Sequence, residues 1–287
     1  MPDVHALTAD LGMAMSEFKI RYDLSLSVLK NLGIEKNDIE MALRTTKDFY
    51  EKNKAFILDL VKKLGKPVLL EMWDERIFYF VLKYEFNFVD VSEKASALST
   101  DQIDIENGER YDIKFTDKDG TTKHPLILHC SPSGAIERVI YALLEKEAIE
   151  MNKGSKPMLP FWLSPTQIRF IPVGSDFIKT CESFIEEFNK KSPFVHIRAD
   201  IDDREESVSR KIRDAEKEWI PVIIVVGEKE QTSKKFSPRF RLKNIGEENR
   251  EYNLDELYNL INTITSGYPQ HRIPLPIHMT KRPNFKG

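Results

Sequence analysis

Apolar positions along the first part of the chain recur with two different periods. Leu7, Leu11, Met15, Phe18 and Leu29 fall at mostly helical spacing and Gly33 follows them, which predicts one amphipathic helix over about 5–30. Ile39, Leu43, Phe49, Phe56, Ile57, Leu60 and Val61 repeat the pattern between Asp38, in a capping position, and Gly65, so a second helix is expected over about 38–63. Aromatic and β-branched residues then gather at 76–82 and 84–90, followed by strand-like runs at 99–106, 110–118 and 123–129, the last two joined by the turn Asp117-Lys-Asp-Gly120. This order implies a largely antiparallel sheet with helices packed on it. The run Leu126-Ile-Leu128 reads as a buried strand, and Ser131-Pro132 after it as a helix start. That helix is expected to bury a stripe of Ile136, Val139, Ile140, Leu143 and Leu144, with Glu137 and Arg138 on its border.

Residues 150–165 change in character: Met151-Asn-Lys-Gly-Ser-Lys-Pro157, then Pro160 and Pro165, compose a linker. Beyond it strands and helices alternate: strand 167–173, helix 176–190, strand 194–200, helix 205–217, strand 221–227, a charged loop, strand 237–243 and helix 253–265. The run Val222-Ile-Ile-Val-Val226 has no polar face, as expected of a central strand covered on both sides. An irregular tail with Pro269, Pro274, Pro276 and Pro283 closes the chain. The expected fold is therefore α/β (α+β): a first domain over 1–152, a linker over 153–165, and a smaller mixed-sheet α/β domain over 166–287.

Length and composition narrow the class. At 287 residues two cores are expected, and 41% apolar with 31% charged residues describes a globular chain with neither disorder nor a membrane span. A net charge of −3 leaves any nucleic-acid contact to a local basic surface. Cys130 and Cys181 lie far apart, which argues against a disulfide framework and for a reducing, cytoplasmic setting.

The chemistry-bearing residues concentrate in the first domain. Period-two alternation over 99–106 puts Thr100, Gln102 and Asp104 on one strand face and Ile103 and Ile105 on the other. A polar face of this kind suits a polar ligand or plain solvent. His5, two residues after Asp3, and His129 would supply two of the three or four ligands a zinc site needs, if they meet. Arg138 is by spacing alone a helix-border cation, and His129 a strand-end histidine.

Three strings set these residues in a family. Phe80 through Lys83-Tyr-Glu-Phe86, Ser99-Thr-Asp-Gln-Ile-Asp104 and His129-Cys-Ser-Pro-Ser-Gly-Ala-Ile-Glu-Arg138 resemble the later half of the class II catalytic domain of threonyl-tRNA synthetases of archaeal type. Gly134, Glu137 and Arg138 match the glycine, glutamate and arginine of the third class II motif, and Met1-Pro-Asp-Val-His5 resembles the segment after the second. Trp162-Leu-Ser-Pro-Thr-Gln167, Asp202-Asp-Arg-Glu205, Lys211-Ile-Arg213 and Gly227-Glu-Lys-Glu230 are similar to the anticodon-binding domain of that family. The resemblance implies a threonine–tRNA ligase that activates threonine with ATP and Mg2+ and transfers it to tRNA(Thr). It implies Zn2+ on His5 and His129, catalytic roles for Arg138, Gln102 and Lys83, and threonine contacts from Asp3, Gln102 and Thr100. It also implies that Glu205, Glu230, Arg239 and Arg241 read anticodon bases, and that the complete protein is a homodimer. The first motif, the arginine of the second and a cysteine ligand would lie ahead of Met1, and no counterpart of the editing domain is found. The alternative expectation is accordingly a catalytically inactive truncated form that binds tRNA.

Overall fold

Residues 1–191, 196–242, 244–247 and 249–283 are described by a computed structural model of the chain. It divides into two compact units, Met1–Ile149 and Glu150–Gly287.

The first unit begins with β1 (Val4–Thr8) and α1 (Leu11–Asn31), then β2 (Ile39–Thr46), α2 (Lys47–Leu64), β3 (Leu69–Trp73), β4 (Phe80–Val89) and β5 (Ala95–Asp104). It continues with the single turn α3 (Asn107–Arg110), the hairpin β6 (Phe115–Thr116) and β7 (Thr122–Lys123), then β8 (Leu126–Ser131) and α4 (Ile136–Asn152). Six strands form one sheet in the order β1-β8-β5-β4-β2-β3, antiparallel except for the β2–β3 pair. α1 and α2 cover one face, where Phe18, Tyr22, Tyr84 and Phe86 pack edge to face around buried Leu43, Leu82 and Ile103. Each such side chain, moved out of water, contributes roughly 2–3 kcal/mol, which holds the sheet to its helices.

Several predicted boundaries move. Residues 5–8 are strand rather than helix: Leu7 is exposed, and Asp10 starts α1 by accepting the Met13 N–H at 2.8 Å. The predicted helix over 38–63 is a strand followed by a helix. Ile39, Met41 and Leu43 alternate into the core, and the Thr46 hydroxyl accepts the Phe49 N–H at 3.3 Å to cap α2. The runs at 76–82 and 84–90 merge into the single strand β4. Ser131 caps no helix. Its hydroxyl donates to the Pro2 carbonyl at 2.9 Å, Ser99 Oγ takes up the Pro132 carbonyl at 2.5 Å, and α4 starts only at Ile136. The stripe on α4 is also split: Val139 and Leu143 are buried together with Ala142, whereas Ile136, Ile140 and Leu144 face outward.

The second unit contains β9 (Ile168–Pro172), α5 (Ile178–Lys191), β10 (Ala199–Ile201), α6 (Val208–Lys217), β11 (Val222–Val226) and α7 (Glu228–Ser233), followed by β12 (Lys235–Phe236), β13 (Arg239–Phe240), β14 (Tyr252–Asn253) and α8 (Leu254–Thr265). The sheet order is β10-β9-β11-β13, with β10, β9 and β11 parallel and β13 antiparallel. Phe170, Phe184, Phe188, Phe236 and Leu257 fill one side of it; Ile171, Ala215, Ile220 and Ile223 fill the α6 side. Arg169, wholly buried on β9, forks onto Asp200 with two bonds of 2.9 Å and also meets Glu218 at 2.8 Å. The charged loop expected after 227 contains α7. The strand predicted over 194–200 begins, and that over 237–243 ends, outside the described residues. In the tail, His278 lies between Glu182 (2.9 Å) and Asp203 (3.3 Å), while Ile201 donates its N–H to Ile277.

Candidate active site and surface hollows

The face of the six-stranded sheet opposite α1 and α2 carries one continuous polar row. Cα pairing sets His5 opposite His129, His129 opposite Gln102, Gln102 opposite Lys83, Lys83 opposite Arg44, and Arg44 opposite Glu71. Five steps of about 4.8 Å make a row of roughly 24 Å. Alternation explains it: on β4, Leu82, Tyr84 and Phe86 point into the core, so Lys83 and Glu85 point away from it.

At one end the His5 and His129 rings meet edge to face with centroids 4.7 Å apart, and the Tyr79 ring lies 5.9 Å from His129. Tyr79 Oη accepts the Gln102 side-chain N–H at 2.7 Å, which holds the amide over the row. His129 Nε2 lies 2.8 Å from Asp104 Oδ2. Burial acts to raise the Asp104 carboxyl, but the backbone N–H groups of Asn107 and Glu106, with His129 and the Asn107 side chain, outweigh it and hold the group below the usual carboxylate range. Asp3 lies 4.0 Å from His5 Nε2, and both are half exposed.

Lys83 Nζ sits 2.8 Å from Glu85, which also takes Arg44 Nη1 at 2.9 Å, while Arg44 Nε reaches Glu71 at 2.9 Å. Burial opposes ionisation of Glu85, yet Lys83 and Arg44 together lower its pKa. Thr100 pairs across strands with Glu85 and Ser131, on the same face. Arg138, at the start of α4, gives Nη1 to the Ala97 carbonyl at 3.1 Å and is otherwise exposed. Its helix is set against β5 by Gly134, whose backbone has φ +80° and lies so close to Leu98 that a Cβ there would meet its carbonyl oxygen at 2.3 Å.

Of the residues singled out from the sequence, the sheet brings His5, His129, Gln102, Lys83 and Thr100 onto one face, together with Asp104. Tyr79, Arg44 and Glu85, which the sequence does not single out, lie beside them. Tyr79 precedes β4, and Arg44 lies where a helix was expected. As a metal centre the donor set is two adjacent imidazoles. Among the described residues no group of three His, Cys, Asp or Glu side chains is arranged to hold an ion. The pair suits zinc chemically, as two of the three or four ligands such a site needs.

On the opposite face, Arg21 lies buried against Asp101, with contacts of 3.2 Å to each carboxylate oxygen. Burial pushes the Asp101 carboxyl up to about 7, against the pull of Arg21. Cys130 and Cys181 are free, buried thiols pushed up to about 11 and about 12 by that burial, and so unreactive at neutral pH.

The four residues expected to read bases lie at two ends of the second unit's sheet. Glu205 lines a hollow of about 390 Å3 with Val173, Asp203, Arg204, Ser207 and Lys211, beyond the carboxyl ends of β9 and β10. Nearby Glu230 caps α7 by accepting the Gly227 N–H at 3.0 Å. Arg239 and Arg241 line a second hollow, of about 420 Å3, with Lys156, Arg213, Lys217 and Trp219, beside the start of β11. Arg241 donates to the Pro157 and Glu216 carbonyls. Arg239 is exposed, with no ion pair among the described residues.

No helix among the described residues is long and apolar enough to cross a membrane. Residues 167–264 match the model of the anticodon binding domain family. The chain is 53% identical over 286 residues to the threonine–tRNA ligase of Nitrosopumilus maritimus, covering 99% of this chain and 45% of that protein. It is 51% identical over 289 residues to that of Pyrococcus horikoshii, covering 100% and 45%. The solved RNA binding domain of threonyl-tRNA synthetase from Cryptosporidium parvum superposes with a TM-score of 0.70 at 21% identity, over 93% of this chain and 64% of that one, a likeness of fold. Along its whole length the chain is similar to threonine–tRNA ligases, and it spans about 45% of the length of these relatives.

Proposed function

We propose that this chain supplies the amino-acid pocket and the anticodon-reading unit of a cytoplasmic threonine–tRNA ligase, which forms threonyl-adenylate from threonine and ATP–Mg2+ and passes the threonyl group to tRNA(Thr). The observation that carries the reading is the row from His5 through His129 and Gln102 to Lys83, because it sets the implied threonine and catalytic residues side by side on adjacent strands. His5 and His129 would hold zinc, which when bound engages the amino and hydroxyl groups of threonine and gains nothing from the methyl of valine. Asp3 would accept a hydrogen bond from the amino group. Gln102, braced by Tyr79, would line the pocket together with Thr100. Lys83 would bring a cation to the acyl-phosphate side, held in place by Glu85. Arg138, fixed at Ala97, would lay its planar cation against the ATP phosphates and stabilise charge on the departing pyrophosphate. Glu205, Glu230, Arg239 and Arg241 would contact the anticodon loop, whose unstacked bases expose their edges. The complete protein would act as a homodimer.

Threonine-dependent ATP–pyrophosphate exchange tests the reading. Exchange that falls at least about 100-fold in Arg138→Ala supports it. A second reading, tRNA binding without chemistry, is favoured by the donor set of only two imidazoles among the described residues. It predicts no exchange from a folded chain that still binds the anticodon stem-loop.

A further inference from the structure

Asp104 closes β5 and is wholly buried, yet its carboxylate takes part in four hydrogen bonds. Oδ1 takes the backbone N–H of Glu106 and of Asn107, both at 2.9 Å; Oδ2 takes the Asn107 side-chain amide at 2.7 Å and His129 Nε2 at 2.8 Å. The first three partners are obligate donors. A carboxyl that accepts from three N–H groups is held as the anion, and an anion has no proton to give to a fourth neighbour. The proton in the bond to His129 therefore belongs to the imidazole. Both oxygens are filled, so the carboxylate cannot turn to offer His129 a different geometry.

We infer that Asp104 is the positioning residue of the histidine pair: it fixes His129 as the Nε2-protonated tautomer and leaves Nδ1 as the nitrogen that carries a lone pair toward a ligand. A carboxylate behind a ligating imidazole raises its basicity and locks its ring, so the arrangement is that of a prepared ligand. The zinc part of this statement rests on the proposed function, and it assigns Nδ1 as the atom of His129 that would bind the ion. The tautomer itself depends only on the four bonds above. The α3 turn is the remaining element of the device, since Glu106 and Asn107 orient the carboxylate they cap. A buried Asp at a strand end, followed within three residues by Asn, is the sequence trace of it.

The test is long-range 1H–15N NMR of the 287-residue chain labelled at histidine, recorded where the imidazoles are neutral, with His129 assigned by its loss in His129→Gln. The expected pattern is a pyridine-like shift at Nδ1 and a pyrrole-like shift at Nε2. In Asp104→Asn the new amide group would donate to Nε2, so the two shifts should exchange. In Asn107→Ala, which removes one donor and keeps the carboxylate, the original pattern should persist. A pyrrole-like Nδ1 in the unaltered chain overturns the inference. An unchanged pattern in folded Asp104→Asn overturns it as well. Since the readout needs neither zinc nor catalysis, failure of threonine activation leaves it standing, and its failure leaves the activation reading standing.

Discussion

An alanine at position 134 would have to adopt φ +80° with its Cβ 2.3 Å from the Leu98 carbonyl oxygen, a contact that backbone cannot relieve by a side-chain rotation. Both penalties act on the junction that sets α4 against β5. Gly134→Ala is therefore expected to lower stability by roughly 2–4 kcal/mol, read as a lower urea midpoint at unchanged slope. An unchanged midpoint would mean that the junction yields freely and that Arg138 is not held by it. Asp101 gives a pH dependence of defined sign. Its folded pKa of about 7 lies above the ordinary unfolded value of about 3.9, so between these values the folded state binds more protons than the unfolded one. Its contribution is complete below about pH 4 and is lost as pH rises through 7. Melting temperatures measured from pH 5 to 8 should therefore decline more steeply in the parent chain than in Asp101→Asn. Equal slopes would show that Arg21 keeps the carboxylate ionised throughout.

At the scale of elements, α4 shows where burial rather than pattern decides the cost of a change. Leu143→Ala removes a side chain packed beneath the helix and should cost about 2–4 kcal/mol, whereas Ile140→Gln, one turn away on the open side, should stay within about 0.5 kcal/mol in the same denaturation assay. Reversed magnitudes would mean that the helix seats on its other face. The sequence pattern cannot separate these two stripes, because Ile140 and Leu143 both satisfy helical spacing. The same ambiguity hid β2. Ile39 and Leu43 are four apart, which fits a helix, and they are also an even number apart, which fits a strand; Met41 between them settles the matter in favour of the strand. β1 was concealed in a similar way, since exposed Leu7 aligns by accident with the stripe of α1. Strands with a clear alternation, β4 and β5, were legible, as was the doubly covered β11. The polar row was legible only in part for a related reason. The face of β5 follows from alternation, but that His129 and Lys83 flank Gln102 depends on register between strands far apart in sequence, which no local period encodes.

For the whole molecule, the decisive property is that each unit carries its own sheet and its own core. In Glu150–Gly287 the core on one side of β9 is apolar, and the strand itself is tied through buried Arg169 to both oxygens of Asp200, whose Oδ2 also holds Arg282 of the tail at 2.9 Å. That network is internal to the unit, so residues 150–287 expressed alone should unfold in one cooperative transition. Asp200→Ala, which takes the forked partner from buried Arg169 and an ion pair from partly buried Arg282, should cost about 3–5 kcal/mol of that stability. The isolated unit then provides the sharpest test of RNA recognition, because its two hollows lie at opposite ends of the parallel strands β9 and β11, roughly 16 Å apart for five residues of strand. The hollow with Arg213, Lys217 and Arg239 has the charge to neutralise phosphates; the hollow with Glu205 mixes carboxylates, which can accept hydrogen bonds, with Arg204 and Lys211, and under the proposed function its carboxylates would meet base edges. Binding to an anticodon stem-loop should therefore weaken with salt, and Arg239→Ala should reduce the slope of log K against log salt by about one, equally for every loop sequence. Glu205→Gln should leave that slope unchanged while altering the ranking of loops that differ in one base. If instead Arg239→Ala changed base preference and Glu205→Gln changed only the salt slope, the assignment of the two hollows would be inverted.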